Sequence, residues 1–470
     1  MSFPLLLMGL PLVTGVLVYN LRRWLWLQVI VAVGTVLVLI ALVQLETLDQ
    51  LVVVFGRDIT LHSSSAVLGR SFTFGEADRP ILVFVFVAVL LYFLAVGVVR
   101  GPSLFLPVGL GMLPLMEATI FVQPFLYAAL FLALIAAVAA FILSNRDYAG
   151  TDGAMRYLAF VSMGVPFILL AGWQLEVHQI NPDDMLPLKR ATWMLGVGFL
   201  VILAVAPFHS WVALVSRNAP PLSAAFVIGV VQAVVLIFLI DTLTQFDWLR
   251  ANTQFFLALR LGGVAMAVVG AAFAFAQRSL GGLMGYTALI DWGATLVVLG
   301  LRTPDSIAVA SMMIVVRVLG LVVWGVGAGV LMDVFEDDYD KLRSCARNYP
   351  FATTAVVVGG LSLSALPLLA GFPGRWELLR MLSADHIGFS IVLILAGLSA
   401  WWGYVRVLPI LFEWSEPQTE SSYFVAGGER WGTIGFVTLG VVTLFCVGLA
   451  PKVLTPFVQP MLDNLAKLLV

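Results

Sequence analysis

Apolar runs of roughly 20 residues recur along the whole length of this chain, and that pattern leaves few folds open. A helix of that length spans the hydrocarbon core of a bilayer. Inside lipid, every backbone N–H and C=O must be satisfied within the protein, which favours helices. Composition agrees: 61% of the 470 residues are hydrophobic and 11% are charged, against about a quarter charged in soluble domains. The expected fold class is an all-α polytopic membrane protein. Fourteen helices are predicted, at about 4–20, 24–44, 81–99, 103–121, 124–144, 155–173, 191–215, 221–242, 255–275, 280–301, 306–332, 350–384, 387–412 and 430–450. The longest polar stretches, 45–80, 332–349 and 413–430, leave no room for a separate soluble domain. The segment 1–19 lacks a basic start and a small-residue cleavage site, so it reads as a retained first span.

A net charge of −2 gives no reason to expect a nucleic-acid partner. Cys345 and Cys446 form no motif, and His62, His178 and His386 are too scattered for a metal site. Gly359 and Gly427 each begin an isolated glycine pair outside any strand–turn–helix context, so no nucleotide loop is expected. The expectation is that this chain carries no cofactor and no redox centre.

Lysines and arginines in the loops set orientation. With the N-terminus outside, the cytoplasmic side holds 12: Arg22, Arg23, Arg100, Arg146, Arg156, Arg217, Arg278, Lys341, Arg343, Arg347, Arg406 and Arg430. The outer side holds 9: Arg57, Arg70, Arg79, Lys189, Arg190, Arg250, Arg302, Lys452 and Lys467. The bias favours both termini outside.

Two of the hydrophobic segments are broken by proline. One, 191–210, is interrupted at Pro207 beside His209; the other, 350–382, at Pro367, Gly371, Pro373 and Gly374 beside Arg375. Freed carbonyls and charges survive in lipid only inside protein or beside water. A pair of broken helices in corresponding halves points to an ion path. The candidates for that path are Glu117, His209, Gln232, Asp291, Arg317, Arg375 and Glu377. Asp291 and Arg317 fall near the middle of two predicted helices joined by a short loop, so antiparallel packing would bring them level as an ion pair. That pair reads either as a titratable step in proton transfer or as a fixed structural bridge. His209 is either a relay near neutral pH or the partner of a carbonyl freed by Pro207. Arg375 cannot release a proton under ordinary conditions; it sets a potential, or anchors Glu377 or backbone carbonyls at the break. Glu117, toward the outer end of its helix, is an interfacial charge or a path residue.

Several stretches resemble, in order, the antiporter-like subunits of complex I, which are related to Mrp-type cation/proton antiporters. Val205-Ala-Pro-Phe-His-Ser-Trp-Val-Ala with Asn218-Ala-Pro-Pro-Leu-Ser is similar to that family's VPxHxW…APxPxS signature. Gly285-Tyr-Thr-Ala-Leu-Ile-Asp-Trp-Gly is similar to its AYSSIxHxG helix, and Leu369-Ala-Gly-Phe-Pro-Gly-Arg-Trp to its GFxGKF break. Asp340-Lys-Leu-Arg-Ser-Cys-Ala-Arg-Asn-Tyr-Pro and Tyr404-Val-Arg fit the same layout. The resemblance covers about 103–450 and looks more like the N- or M-type subunit than the L-type. It implies an N-terminal three-helix segment (1–102), inverted five-helix repeats at 103–242 and 255–412, and a C-terminal helix and tail (430–470). Each repeat would form half of a proton channel, with glutamates and lysines along a hydrated midplane axis.

The departures are informative. Where the family places the fifth-helix glutamate, this chain has Ala133. The seventh-helix lysine falls at Ile202, and the eighth-helix lysine at Val231 or Gln232. The tenth-helix histidine falls at Asp291, and the lysine of the second break at Arg375. A proton route through the first repeat would rest on waters, Gln232 and His209. The resemblance thus implies a proton-translocating subunit of a complex I-type NADH:quinone oxidoreductase or related respiratory or hydrogenase complex, with a divergent path. Two alternatives stay open: a scaffold subunit that no longer pumps, and a part of a Mrp-like antiporter or ion-coupled carbon-uptake complex. Expected partners are other membrane subunits, protons and the lipid bilayer, and the expected location is a bacterial inner membrane.

Overall fold

The computed structural model describes residues 2–45, 51–54, 57–67, 69–99, 104–144, 151–383, 386–413 and 429–455. Arg100, Arg146 and Lys467 of the orientation count, the pair at Gly427 and the tail beyond 455 lie outside them.

The chain is a helical, multi-span membrane protein. Among the described residues, eleven helices are long and apolar enough to cross a bilayer, and Phe105–Phe121 and Pro350–Leu363 are shorter apolar helices. Pro221–Gln245 and Leu280–Leu299 are wrapped on almost all sides by other helices, and Asp305–Met332 largely so; Phe3–Asn20 and Trp431–Leu449 lie at the rim. Rim helices expose large apolar side chains, among them Val13, Val16, Ile30, Leu439 and Leu449, the surface a lipid-facing helix needs.

Lipid tails are as apolar as the side chains, so helix association rests on close packing rather than on the hydrophobic effect. Small residues supply it. Gly263 and Gly293 let Thr253–Ala276 and Leu280–Leu299 touch backbone to backbone, since a Cβ on either would sit 2.3–2.4 Å from the other's carbonyl oxygen.

One expectation needs correction: the fold is not purely helical. Within the polar stretch after the second helix, Leu51–Val54 pairs antiparallel with Arg57–Thr60, and Ser64–Val67 with Arg70–Thr73, which extends to Val122–Gln123. The hairpins bridge helix ends.

Both broken helices are present, and they end alike. Leu186–Ile202 stops where Val205 N donates to Leu200 O and Ala204 N to Val201 O, with Ala204 at φ 58°. Pro350–Leu363 stops where Leu366 N donates to Leu361 O and Ala365 N to Ser362 O, with Ala365 at φ 61°. Each is a left-handed residue followed by an apolar one whose N–H reaches back five residues, a Schellman-type stop. A proline then prevents the helix from resuming at once. The downstream segments are Ser210–Asn218 and Gly371–Leu382. The second break is therefore shorter than expected: it runs over 364–370, and Gly371, Pro373 and Gly374 belong to the first turn of the next helix. Proline is tolerated there because that N–H has no helical partner.

Candidate functional site

In each break, a donor from a distant helix reaches a carbonyl at the helix end. Gln232 Nε2 lies 3.5 Å from Ile202 O in the first. Trp401 Nε1 lies 2.9 Å from Ser364 O in the second. Gln232 opens the α-helical stretch after a π-helical turn, Val227–Val231, that widens Pro221–Gln245. Such turns add a residue to the helix and re-aim the side chains beyond them. Gln232, rather than Val231, is thus the residue that faces the break.

The charged centre lies in the second half. Arg317 Nε stands 2.5 Å from Asp291 Oδ2, and Arg317 Nη2 stands 2.5 Å from Thr295 Oγ1. Arg375 Nη2 approaches the other carboxylate oxygen, Oδ1, at 3.4 Å. Exposure is 7% for Asp291, 1% for Arg317 and 6% for Arg375. Leu280–Leu299 and Asp305–Met332 bring the first two level, as antiparallel neighbours should. The fold of the second break carries Arg375 in from 84 positions away. Two guanidiniums on one carboxylate leave the cluster with one surplus positive charge.

The remaining candidates divide. Glu377 turns to Arg380 at 2.5 Å on an outward face, not to Arg375 or the centre. Glu117 is wholly buried, with no partner for either oxygen among the described residues; it is not an interfacial charge. His209 is half-buried at the start of Ser210–Asn218, its Nδ1 buried without a partner and its ring facing Phe273 at 6.5 Å. Pro207 lies exposed within the first break. The positions of the missing glutamate and lysine are apolar in their surroundings too. Ile202 is buried against Gly164. The cavity beside the first break, ≈ 30 Å³, is lined by Phe199, Leu200, Leu203, Val205, Phe255 and other apolar residues.

From His209 toward Asp291 runs a row of aromatic rings. Trp211 stacks obliquely on Tyr157 at 4.6 Å and meets Trp292, the neighbour of Asp291, at 5.9 Å. Trp211 Nε1, Trp292 Nε1, Gln232 Oε1, Ser311 Oγ and Ser362 Oγ are all buried without a protein partner among the described residues.

The sequence reading missed three contributors. Thr295 was discoverable, being four residues after Asp291 on the same helical face. Trp401 was not, because no local pattern marks a long-range donor. Asp337 was not either: its carboxylate accepts from Leu280 N at 2.7 Å and Gly281 N at 3.0 Å, capping the helix that bears Asp291. Burial pushes the Asp337 carboxyl up to about 6, against the opposing pull of those two amide hydrogen bonds.

Comparison with known proteins identifies the class. Residues 109–399 match the profile described as "NADH:quinone oxidoreductase/Mrp antiporter, TM", and the chain belongs to that family. It is 29% identical over 293 residues to NADH-quinone oxidoreductase subunit N 2 of Acidobacterium capsulatum, a match covering 56% of this chain and 58% of that relative. Its fold is similar to a chain of respiratory complex I from Thermus thermophilus, with TM-score 0.73 and 18% identity over 99% of this chain and 100% of the other. It is also similar to a chain of the Mrp complex from Dietzia sp. DQ12-45-1b, with TM-score 0.77 and 12% identity over 99% and 98%.

Proposed function

We propose that this chain is an antiporter-like membrane subunit of a complex I-type or related respiratory complex, and that it moves protons along a divergent route centred on Asp291. The observation that carries the reading is the concentration of unpartnered buried polar atoms on the two breaks and the helices packed on them. Each such atom costs about 1–3 kcal/mol if it stays dry, and in a membrane protein such costs attend ion pathways. The route pairs His209, the Trp211 and Trp292 side chains and Asp291 with ordered water. Asp291 is the group on it that gains and loses the proton. The arginines hold its position and set its potential, because neither releases a proton at physiological pH. Unequal sharing, tight to Arg317 and loose to Arg375, lets the carboxylate shift between them as the helices move. The fourteen-helix topology with repeats at 103–242 and 255–412 supplies the two breaks with opposite orientations. Partners are other membrane subunits, since redox chemistry has no centre here.

The scaffold reading is favoured by a separate observation: Ala133, Ile202 and the apolar cavity beside Leu203 give the first half no titratable pair. One experiment separates the two. Proton-to-electron ratios are measured in vesicles holding the whole complex, for wild type, Asp291→Asn, and Asp291→Asn with Arg375→Gln. The double variant keeps the cluster's net charge while removing its carboxylate. A lower ratio at matched assembly and electron-transfer rate supports conduction through Asp291. An unchanged ratio in the double variant leaves the chain as a scaffold.

A further inference from the structure

We propose that the cavity between Arg317, Ser362 and Gly371 is a site for a small monovalent anion of the halide class, held by the surplus charge of the Asp291–Arg317–Arg375 cluster. The cavity is lined by Asp291, Met313, Arg317, Ser362, Gly371 and Gly374, among others, and measures ≈ 10 Å³. That is room for one occupant of about the size of water. Two donors on its wall, Arg317 Nη1 and Ser362 Oγ, are buried without a protein partner among the described residues. The first turn of Gly371–Leu382 adds the positive end of a helix, and Gly371 and Gly374 of that turn line the wall without side chains to fill it.

The charge balance argues for an anion over a neutral occupant. Arg317 and Arg375 face a single carboxylate, whose Oδ2 is taken by the first and Oδ1 by the second. Asp291 is therefore screened by guanidinium on both oxygens although it borders the cavity. No other acid reaches the cluster among the described residues: Glu377 is bound to Arg380. A water satisfies donors but leaves the net charge buried, and an uncompensated buried charge is costly. A halide satisfies both. Carboxylates and phosphates are excluded by size. The site stands whether or not the chain conducts protons.

The test is thermal unfolding of the intact detergent-solubilised complex in chloride, bromide or gluconate at equal ionic strength. The expected result is a saturating rise of the midpoint with chloride and bromide relative to gluconate. Arg375→Gln, which removes the surplus charge, abolishes the rise; Lys341→Gln, an exposed charge of the same sign, preserves it. Equal midpoints in all three salts, or a halide effect that persists in Arg375→Gln, overturns the proposal. If Arg375→Gln does not assemble, bromide anomalous scattering from wild-type crystals decides: a peak in the cavity supports the site, and its absence overturns it.

Discussion

At the scale of single residues, the cluster's arithmetic orders the consequences of substitution. Asp291→Asn leaves two guanidiniums facing each other with nothing between them. Arg317→Gln leaves one carboxylate with its looser partner. Arg375→Gln leaves the tight pair intact and removes the surplus charge. Removing one partner of a buried ion pair costs about 3–5 kcal/mol. The expected order of destabilisation is therefore Asp291→Asn, then Arg317→Gln, then Arg375→Gln, the last within about 1 kcal/mol of wild type because no full pair is broken. Thermal midpoints of the assembled complex check the order, and Arg375→Gln as the worst of the three would refute this account of the charges. Part of the cluster was legible beforehand. Asp291 and Arg317 sit at equal depth on consecutive helices, so sequence spacing alone predicts their meeting. Arg375 was readable as an unusual charge but not as a member, because its approach depends on how the second break folds back. Glu377, two residues on, looked equivalent; the 3.6-residue helical period turns it outward to Arg380.

At the scale of elements, the breaks were legible as breaks because proline in an apolar run has few other readings. Their mechanism was hidden. In both, the helix has already ended before the proline, at an alanine held in the left-handed region. Alanine carries no advertised preference for that conformation, which costs about 1–2 kcal/mol relative to glycine. Tertiary packing and the reach-back hydrogen bonds hold it there. Ala204→Gly and Ala365→Gly are expected to stabilise the chain by about 0.5–1 kcal/mol each, the relief being partly offset by the greater freedom of glycine in the unfolded chain. Gly371→Ala should do the opposite. A Cβ there would fall 1.9 Å from the Ser362 carbonyl oxygen, so the break must open, at about 1–3 kcal/mol. Thermal unfolding of the three variants measures both signs. Spacing likewise could not decide between Val231 and Gln232, because a π-helical turn shifts the side chains after it by one residue.

At the scale of the whole molecule, the contacts sort the loops into two faces. Asp337 caps Leu280, Tyr339 N donates to Arg278 O, and Arg406 bonds Gln277 O. Arg343 pairs with Glu413, and Ser344 N donates to Ile410 O. These segments therefore share one end of the bundle, together with Arg278, Arg343 and Arg406 of the cytoplasmic count. Lysine and arginine bias assigns that end to the cytoplasm, which makes sidedness a direct test of the reading. Cys446 is the exposed native thiol and Cys345 is buried, so Cys446→Ser supplies a quiet background. Lys341→Cys, exposed on the charged end, is expected to react with a membrane-impermeant maleimide only in inverted vesicles. Asp183→Cys, exposed in the turn between Asp152–Ile180 and Leu186–Ile202, is expected to react only from the outside of intact cells. The reverse pattern would invert the chain in the bilayer and place Asp337 outside, and with it the capped end of the helix that carries Asp291. The cluster itself would keep its depth, because its members are fixed by helix packing rather than by loop charge. Sidedness and the buried charge site therefore fail or stand separately.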